Sequence, residues 1–147
     1  MDAVTLEFLE RVKRRCDYSG NAFCATSTKT GAYVEIGARQ RMTLLKDGTT
    51  FVDRVLQRTI RDIYLPKQMR RRGFLAELVL YLAAKGGPGG TRLHAVQIEA
   101  VMNPKLRESL SSNSFGGLPI QWHDQTYDPT GRHTPTPPFN PSFVWFC

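Results

Sequence analysis

The chain has 147 residues, 20 of them basic and 13 acidic, for a formal net charge of +7. That length suits one domain with a substantial core, and that charge favours polyanionic partners: phosphates, a nucleic acid or an acidic protein surface. No apolar run approaches the roughly 20 residues that span a membrane, and the N-terminus lacks the basic region and apolar core of a secretory signal. The cysteines Cys16, Cys24 and Cys147 are odd in number and widely spaced, with no metal-binding pattern, which reads as reduced thiols in a cytoplasmic protein and no metal site.

In chain order, Val4, Phe8 and Val12 recur at helical spacing, Leu9 widens the stripe and Asp2 caps its start. This predicts a core-packing helix through Arg15 with a charged outer face. Residues 17–20 read as a turn. Residues 21–28 read as a strand centred on Phe23 and residues 32–36 as another, with a turn at Lys29-Thr30-Gly31 between them. Residues 41–45 and 50–56 flank Asp47-Gly48. This is the best hairpin signal in the chain, because Asp-Gly suits a tight primed turn between antiparallel strands. A further antiparallel step around Gln57 and Arg58 is expected to lead into a strand at residues 60–65.

Pro66 closes that strand, since proline has no N–H to give a sheet ladder. A basic turn follows at residues 67–73, then a helix to Lys85 with Leu75, Leu78, Val79 and Leu82 on one face of a 3.6-residue period. Strand, basic glycine-bearing turn and helix make an anion cradle. Free N–H groups at the helix start point at one spot, and the macrodipole adds positive character there. Gly73 lets the backbone approach a ligand closely, and Arg70, Arg71 and Arg72 add charge that suits phosphate. The glycine-rich residues 86–90 lack the Lys-Ser/Thr pair of a phosphate loop and read as a plain connection.

Residues 93–101 read as a strand with His94, Val96, Ile98 and Ala100 on one face. Asn103 is a good cap and Pro104 a good first helical residue, so a helix starts at Asn103, with Leu106 and Leu110 one turn apart. In the tail, residues 120–122 are a short strand candidate. Residues 143–146 are the last strand, docked by Trp145. Residues 135–141 are extended, since each proline biases its predecessor away from helix. They form an arm packed on the sheet or a recognition strip for another protein. The chain thus reads as a single domain over residues 1–147, with a proline-rich C-terminal arm over about 128–147.

The stretch over about residues 59–115 resembles the acyl-CoA-binding region of the GNAT N-acetyltransferase superfamily. The family motif reads Arg/Gln-x-x-Gly-x-Gly/Ala after a strand that often ends in a proline-containing turn. Here it reads Arg70-Arg71-Arg72-Gly73-Phe74-Leu75, with Leu75 where the family has Gly or Ala. The second half of the family pattern is strand, Asn, helix, then Gly-Phe. Asn103, Leu106 and Phe115 fall at its spacing, with Ser114 in place of the Gly. The family often has Tyr seven residues after the Asn, commonly the general acid toward the CoA thiolate. This chain has Leu110 there, which carries no proton to give.

The resemblance implies an α+β fold. Its central sheet is mixed and mostly antiparallel, flanked by helices, with a splayed strand pair holding the acyl-CoA groove. It implies acetyl-CoA as cosubstrate, with its pantetheine arm on backbone groups of Ile63 and Leu65. The pyrophosphate would lie on the backbone of residues 70–75, with Asn103 nearby. The activity implied is acetyl transfer to an amine, on a small molecule or a protein, by direct attack in a ternary complex. A carboxylate on one of the two strands would take the amine's proton. Asp62, Tyr64 and Glu99 are the candidates for acid–base work, which requires hydrogen-bond reach of the amine. Asp62 equally suits pairing with Arg58 or Arg61. Tyr127 is a further phenol. His94, His123 and His133 are isolated and read as surface or packing residues. Leu75 and Leu110 support the alternative of a binding module of this fold that regulates or inhibits a partner protein. A nucleic-acid-binding role ranks third, because no basic stripe interleaved with aromatics is present.

Overall fold

A computed structural model of the chain describes residues 1–46, 50–70, 73–85, 92–99, 104–112, 115, 120–125 and 142–147. Among these, three α-helices accompany one mixed sheet of seven strands. The expected turn at Asp47-Gly48, the glycine-rich loop, the extended proline segment, and Arg71, Arg72, Asn103, Tyr127 and His133 lie outside the described residues.

Helix α1 (Ala3–Tyr18) starts where Asp2 accepts a hydrogen bond from the Thr5 N–H at 2.8 Å. It runs past Arg15, so the expected turn begins only after Tyr18. Its buried face is Thr5, Phe8, Leu9, Val12 and Cys16, while Val4 is exposed. The stripe therefore begins one residue later than hydropathy suggests, because a threonine can fill a core position. Phe8 stacks on Phe74 of helix α2 (Phe74–Lys85), with ring centroids 5.6 Å apart. That contact changes the start of the expected α2 face: Phe74 is buried with Leu78, Val79, Leu82 and Ala83, and Leu75 sits only half-buried beside them. The Tyr81 hydroxyl donates to Asp17 and joins the two helices again.

Strands β1 (Phe23–Thr26) and β2 (Tyr33–Ile36) pair antiparallel. Arg15 of α1 donates to the Cys24 carbonyl at 2.6 Å and Arg11 to the Thr26 carbonyl. The two arginines occupy backbone acceptors of the β1 edge, a common defence against edge-to-edge association. Strands β3 (Gln40–Lys46) and β4 (Thr50–Tyr64) form the expected hairpin, with Lys46 opposite Thr50.

The step expected at Gln57 and Arg58 does not exist. Both lie inside β4, which is one continuous strand of 15 residues, and both are fully buried. The irregularities in β4 are bulges instead. Asp53 and Arg54 together oppose Thr43, with Arg54 at φ 57°. Arg61 is the extra residue opposite the Glu35–Ile36 step of β2. Polar side chains at 57 and 58 look like a chain reversal to a pattern reader, because the sequence does not show what hydrogen-bonds them.

Arg58 is held by four backbone carbonyls: Gly37 at 3.1 Å, Cys16 at 3.2 Å, and Ser19 and Asn21 at 2.9 Å. Two of these close the C-terminal end of α1, whose last carbonyls have no partner within the helix. Gln57 is tied to Thr59, whose hydroxyl donates to its side-chain oxygen at 2.9 Å.

Strand β5 (Ala95–Ile98) runs parallel to β4, from Gln57 opposite Ala95 to Ile60 opposite Ile98, and α2 forms the crossover between them. Helix α3 (Pro104–Ser111) follows, then β6 (His123–Asp124) and β7 (Phe143–Phe146). The strand order is β1-β2-β4-β5-β7-β6, with β3 alongside the first half of β4, and β4–β5 is the parallel pair in an otherwise antiparallel set. Strand β6 starts beyond the expected residues 120–122. Ile120 and Trp122 are buried in the main core, Trp122 against Phe115 and Trp145. The main core lies between the sheet and the helices. Leu44, Val55, Ala95 and Val144 form a smaller second core. Alternation along β5 sends Val96 and Ile98 to one core and Ala95 to the other, which is why all four of its residues are buried.

The three cysteines are free thiols. Burial pushes the Cys16 thiol up to about 11, against the opposing pull of Arg58, whereas Cys24 is exposed. Alkylation at pH 8 in native conditions is therefore expected to label Cys24 and spare Cys16, as mass spectrometry would read, since thiolate fraction and access together set the rate. The folded protein holds this proton more tightly than the unfolded chain. Cys16 therefore withdraws stability as pH rises from 9.0 toward about 11.

Candidate functional site

The β4–β5 ladder stops at Ile60 and Ile98, with one further bond from the Glu99 N–H to the Ile60 carbonyl at 2.9 Å. Strand β4 continues to Tyr64 paired with β2. The bulge at Arg61 falls next to the last pair of that ladder. A bulge bends its strand and raises the local twist, so β4 changes course where its described pairing with β5 ends.

Beyond Tyr64 the chain folds back. Pro66 heads a short 3₁₀ turn over Lys67–Met69, and the Met69 N–H donates to the Pro66 carbonyl at 2.8 Å. Met69 is buried and anchors the turn. Arg70 bends over it, donating to the Leu65 carbonyl at 2.6 Å and lying 5.8 Å from the Tyr64 ring centroid. Gly73 then adopts φ +82°, and its carbonyl accepts the Glu77 N–H at 2.9 Å in the first turn of α2. An added Cβ at Gly73 would meet no atom within 4 Å. The glycine is needed for its left-handed backbone rather than for tight packing.

These elements enclose a groove of about 830 Å³. One wall is the end of β4 and the turn: Ile63, Tyr64, Leu65, Met69 and Arg70. Its head is the start of α2, residues 73–76, whose first N–H groups have no partner within the helix. The far wall is Lys105, Leu106 and Ser109 of α3, with Phe115 beyond it. The lining is mostly apolar. Arg70 and Lys105 bring positive charge, Tyr64 and Ser109 bring hydroxyls, and no carboxylate, imidazole or thiol lines it among the described residues.

Of the residues named from sequence, Ile63, Tyr64, Leu65, Arg70, Gly73, Phe74 and Leu75 come together on this groove. Asp62 and Glu99 do not line it. Asp62 is exposed and opposes Glu35 across the β2–β4 ladder. It pairs with neither arginine suggested for it: Arg58 is bonded to carbonyls, and Arg61 Nε lies 3.7 Å from Glu99 Oε2. On the same face as Asp62, the Tyr33 hydroxyl lies 3.4 Å from Cys24 Sγ and donates to Glu35. The contact with Cys24 is the main cause pushing its phenol pKa up.

Sequence reasoning missed Met69, Ala76, Lys105 and Ser109 as lining residues. The spacing of Lys105, Leu106 and Ser109, one face of a helix, was the available signal. Leu75 both lines the groove and packs against the core.

Leu110, at the position where the family's phenol stands, is fully buried in the main core. Leu110→Tyr is therefore expected to overfill the core and cost about 1–3 kcal/mol rather than supply a proton donor. Urea denaturation would show this as a lower midpoint.

Comparison with protein-family models, with curated proteins and with solved structures gave no match. Among the described residues no helix is long and apolar enough to cross a membrane, and no group of His, Cys, Asp and Glu is placed to hold a metal ion.

Proposed function

We propose that the protein is an acetyl-CoA-dependent N-acetyltransferase of the GNAT kind, acting in the cytoplasm. The observation that carries this reading is the groove between the end of β4, the Gly73 turn that starts α2, and α3. Its residues fit the cosubstrate part by part. The first N–H groups of α2, with Arg70 and Lys105, suit the phosphates. The apolar wall of Ile63, Leu65, Phe74 and Leu106 suits the pantetheine arm. The β4 backbone beyond Ile60 has no β5 strand beside it among the described residues and can pair with the amides of an extended arm.

Bound acetyl-CoA supplies a thioester carbonyl. Attack by an amine forms the C–N bond and breaks the C–S bond, so one proton leaves the amine and the thiolate gains one. On this chain Tyr64 and Ser109 are the described hydroxyls on the groove that can pass a proton to the thiolate. Asp62 and Glu99 lie off the groove, so they would reach the amine only from the side facing the acceptor or through water.

Calorimetric titration with acetyl-CoA tests the reading. Saturable binding is expected, and no binding at millimolar concentration would overturn it. The second reading, a regulator that keeps this fold without the chemistry, draws on the lack of any carboxylate or imidazole on the described lining and on the core position of Leu110. Thiol release with a panel of amines, polyamines and basic peptides separates the two: binding without turnover favours the regulator.

A further inference from the structure

Strand β3 is hydrogen-bonded to β4 on one side, and an outer strand edge with unpaired N–H and C=O groups invites pairing with another chain. At Leu45 these groups are occupied by a residue 80 positions away. Gln125 Oε1 accepts the Leu45 N–H at 2.7 Å, and Gln125 Nε2 donates to the Leu45 carbonyl at 2.6 Å. A primary amide used in this way imitates the peptide unit of a neighbouring strand. It is firmly mounted, because the Gln125 backbone N–H donates to the Ser142 carbonyl at 2.9 Å, directly beyond the last pair of the β6–β7 ladder.

We infer that Gln125 is a conformational latch that closes β3, β4, β5, β7 and β6 into a barrel around the second core and caps the outer edge of β3 at Leu45. The strands are joined in that order by their ladders, and the Gln125 amide makes the remaining junction, from the end of β6 back to β3. Leu44, Val55, Ala95 and Val144 fill the interior, one each from β3, β4, β5 and β7. Two contacts beside the latch support the closure. The Lys46 ammonium lies 5.8 Å from the Phe146 ring centroid, and His123 meets the same ring edge-on at 5.4 Å. The latch is independent of the acyl-transfer reading.

Amide hydrogen exchange on the full chain tests it, with the Val96 amide of β5 as internal reference. In Gln125→Ala, the Leu45 amide is expected to exchange about tenfold faster relative to Val96, since both of its edge groups lose their partners. Gln125→Glu is a near-isosteric second test that avoids a cavity. Its carboxylate can accept from the Leu45 N–H but has no proton for the Leu45 carbonyl. Protonation near the ordinary carboxyl value of about 4.3 restores a donor. Protection of Leu45 relative to Val96 in Gln125→Glu should therefore rise as pH falls from about 6 to about 3.5. A Leu45 rate unchanged in Gln125→Ala, or a ratio in Gln125→Glu that does not move with pH, would overturn the latch.

Discussion

Arg58→Ala is expected to destabilise the protein by about 4 kcal/mol, close to the whole stability of a marginal domain. The guanidinium is fully buried. Its four bonds satisfy the carbonyls of Cys16, Ser19, Asn21 and Gly37. A buried acceptor left without a donor costs about 1–3 kcal/mol. This falls mainly on the carbonyls of Cys16 and Gly37, while those of half-buried Ser19 and exposed Asn21 can turn to water. The cavity left by the stem adds to the loss. No carboxylate neutralises Arg58 among these contacts, so the C-terminal end of α1 supplies the negative potential it needs. Arg58→Lys retains the charge but lacks the planar fork that reaches several acceptors at once. It is expected to recover about half of the loss. Urea midpoints for the three proteins check this, and an Arg58→Ala midpoint near the wild-type value would show that the carbonyls find other partners.

Gly73→Glu is expected to weaken acetyl-CoA binding about a hundredfold or more while the protein stays folded. At φ +82° any side chain strains the backbone, by about 1–2 kcal/mol for an ordinary residue. Open space at the Cβ position means that no clash is added. The larger effect is electrostatic. A carboxylate at the head of α2 competes with a ligand phosphate for the same N–H groups and opposes its charge. Gly73→Ala carries the strain without the charge, so it should lower the unfolding midpoint by a similar amount yet bind acetyl-CoA within a few-fold of wild type. Titration of both variants reads the difference. Unimpaired binding by Gly73→Glu would remove the cradle from the site.

The legible and illegible parts of this chain divide along a physical line. The β3–β4 hairpin was readable because two strand-like runs, residues 41–45 and 50–56, lie a few positions apart. Helix α1 was readable because Phe8, Leu9 and Val12 repeat with the helix period, and α2 because its apolar run is local too. The stripe boundaries were not, since Thr5 rather than Val4 and Phe74 rather than Leu75 face inward once Phe8 and Phe74 stack. Gln57 and Arg58 misled for the same reason: polar residues signal a surface until their partners are known. On the candidate site, the β4 end and the Gly73 turn were visible as a contiguous segment. The α3 wall was not, because Lys105 and Ser109 matter only through what faces them across the groove.

By itself the sequence determined the element types, the positions of most strands and helices, and the strand–turn–helix segment around Gly73, all of which depend on residues a few positions apart. Only the tertiary structure decided the remainder. It joined β4 and β5 in parallel and ended that ladder at Ile60, where Arg61 bulges. It put Leu110 in the core and Asp62 on the opposite face from Ile63. It also brought Gln125 to Leu45 across 80 residues. These outcomes follow from which buried polar groups find partners and which faces meet, and those are properties of the folded chain as a whole.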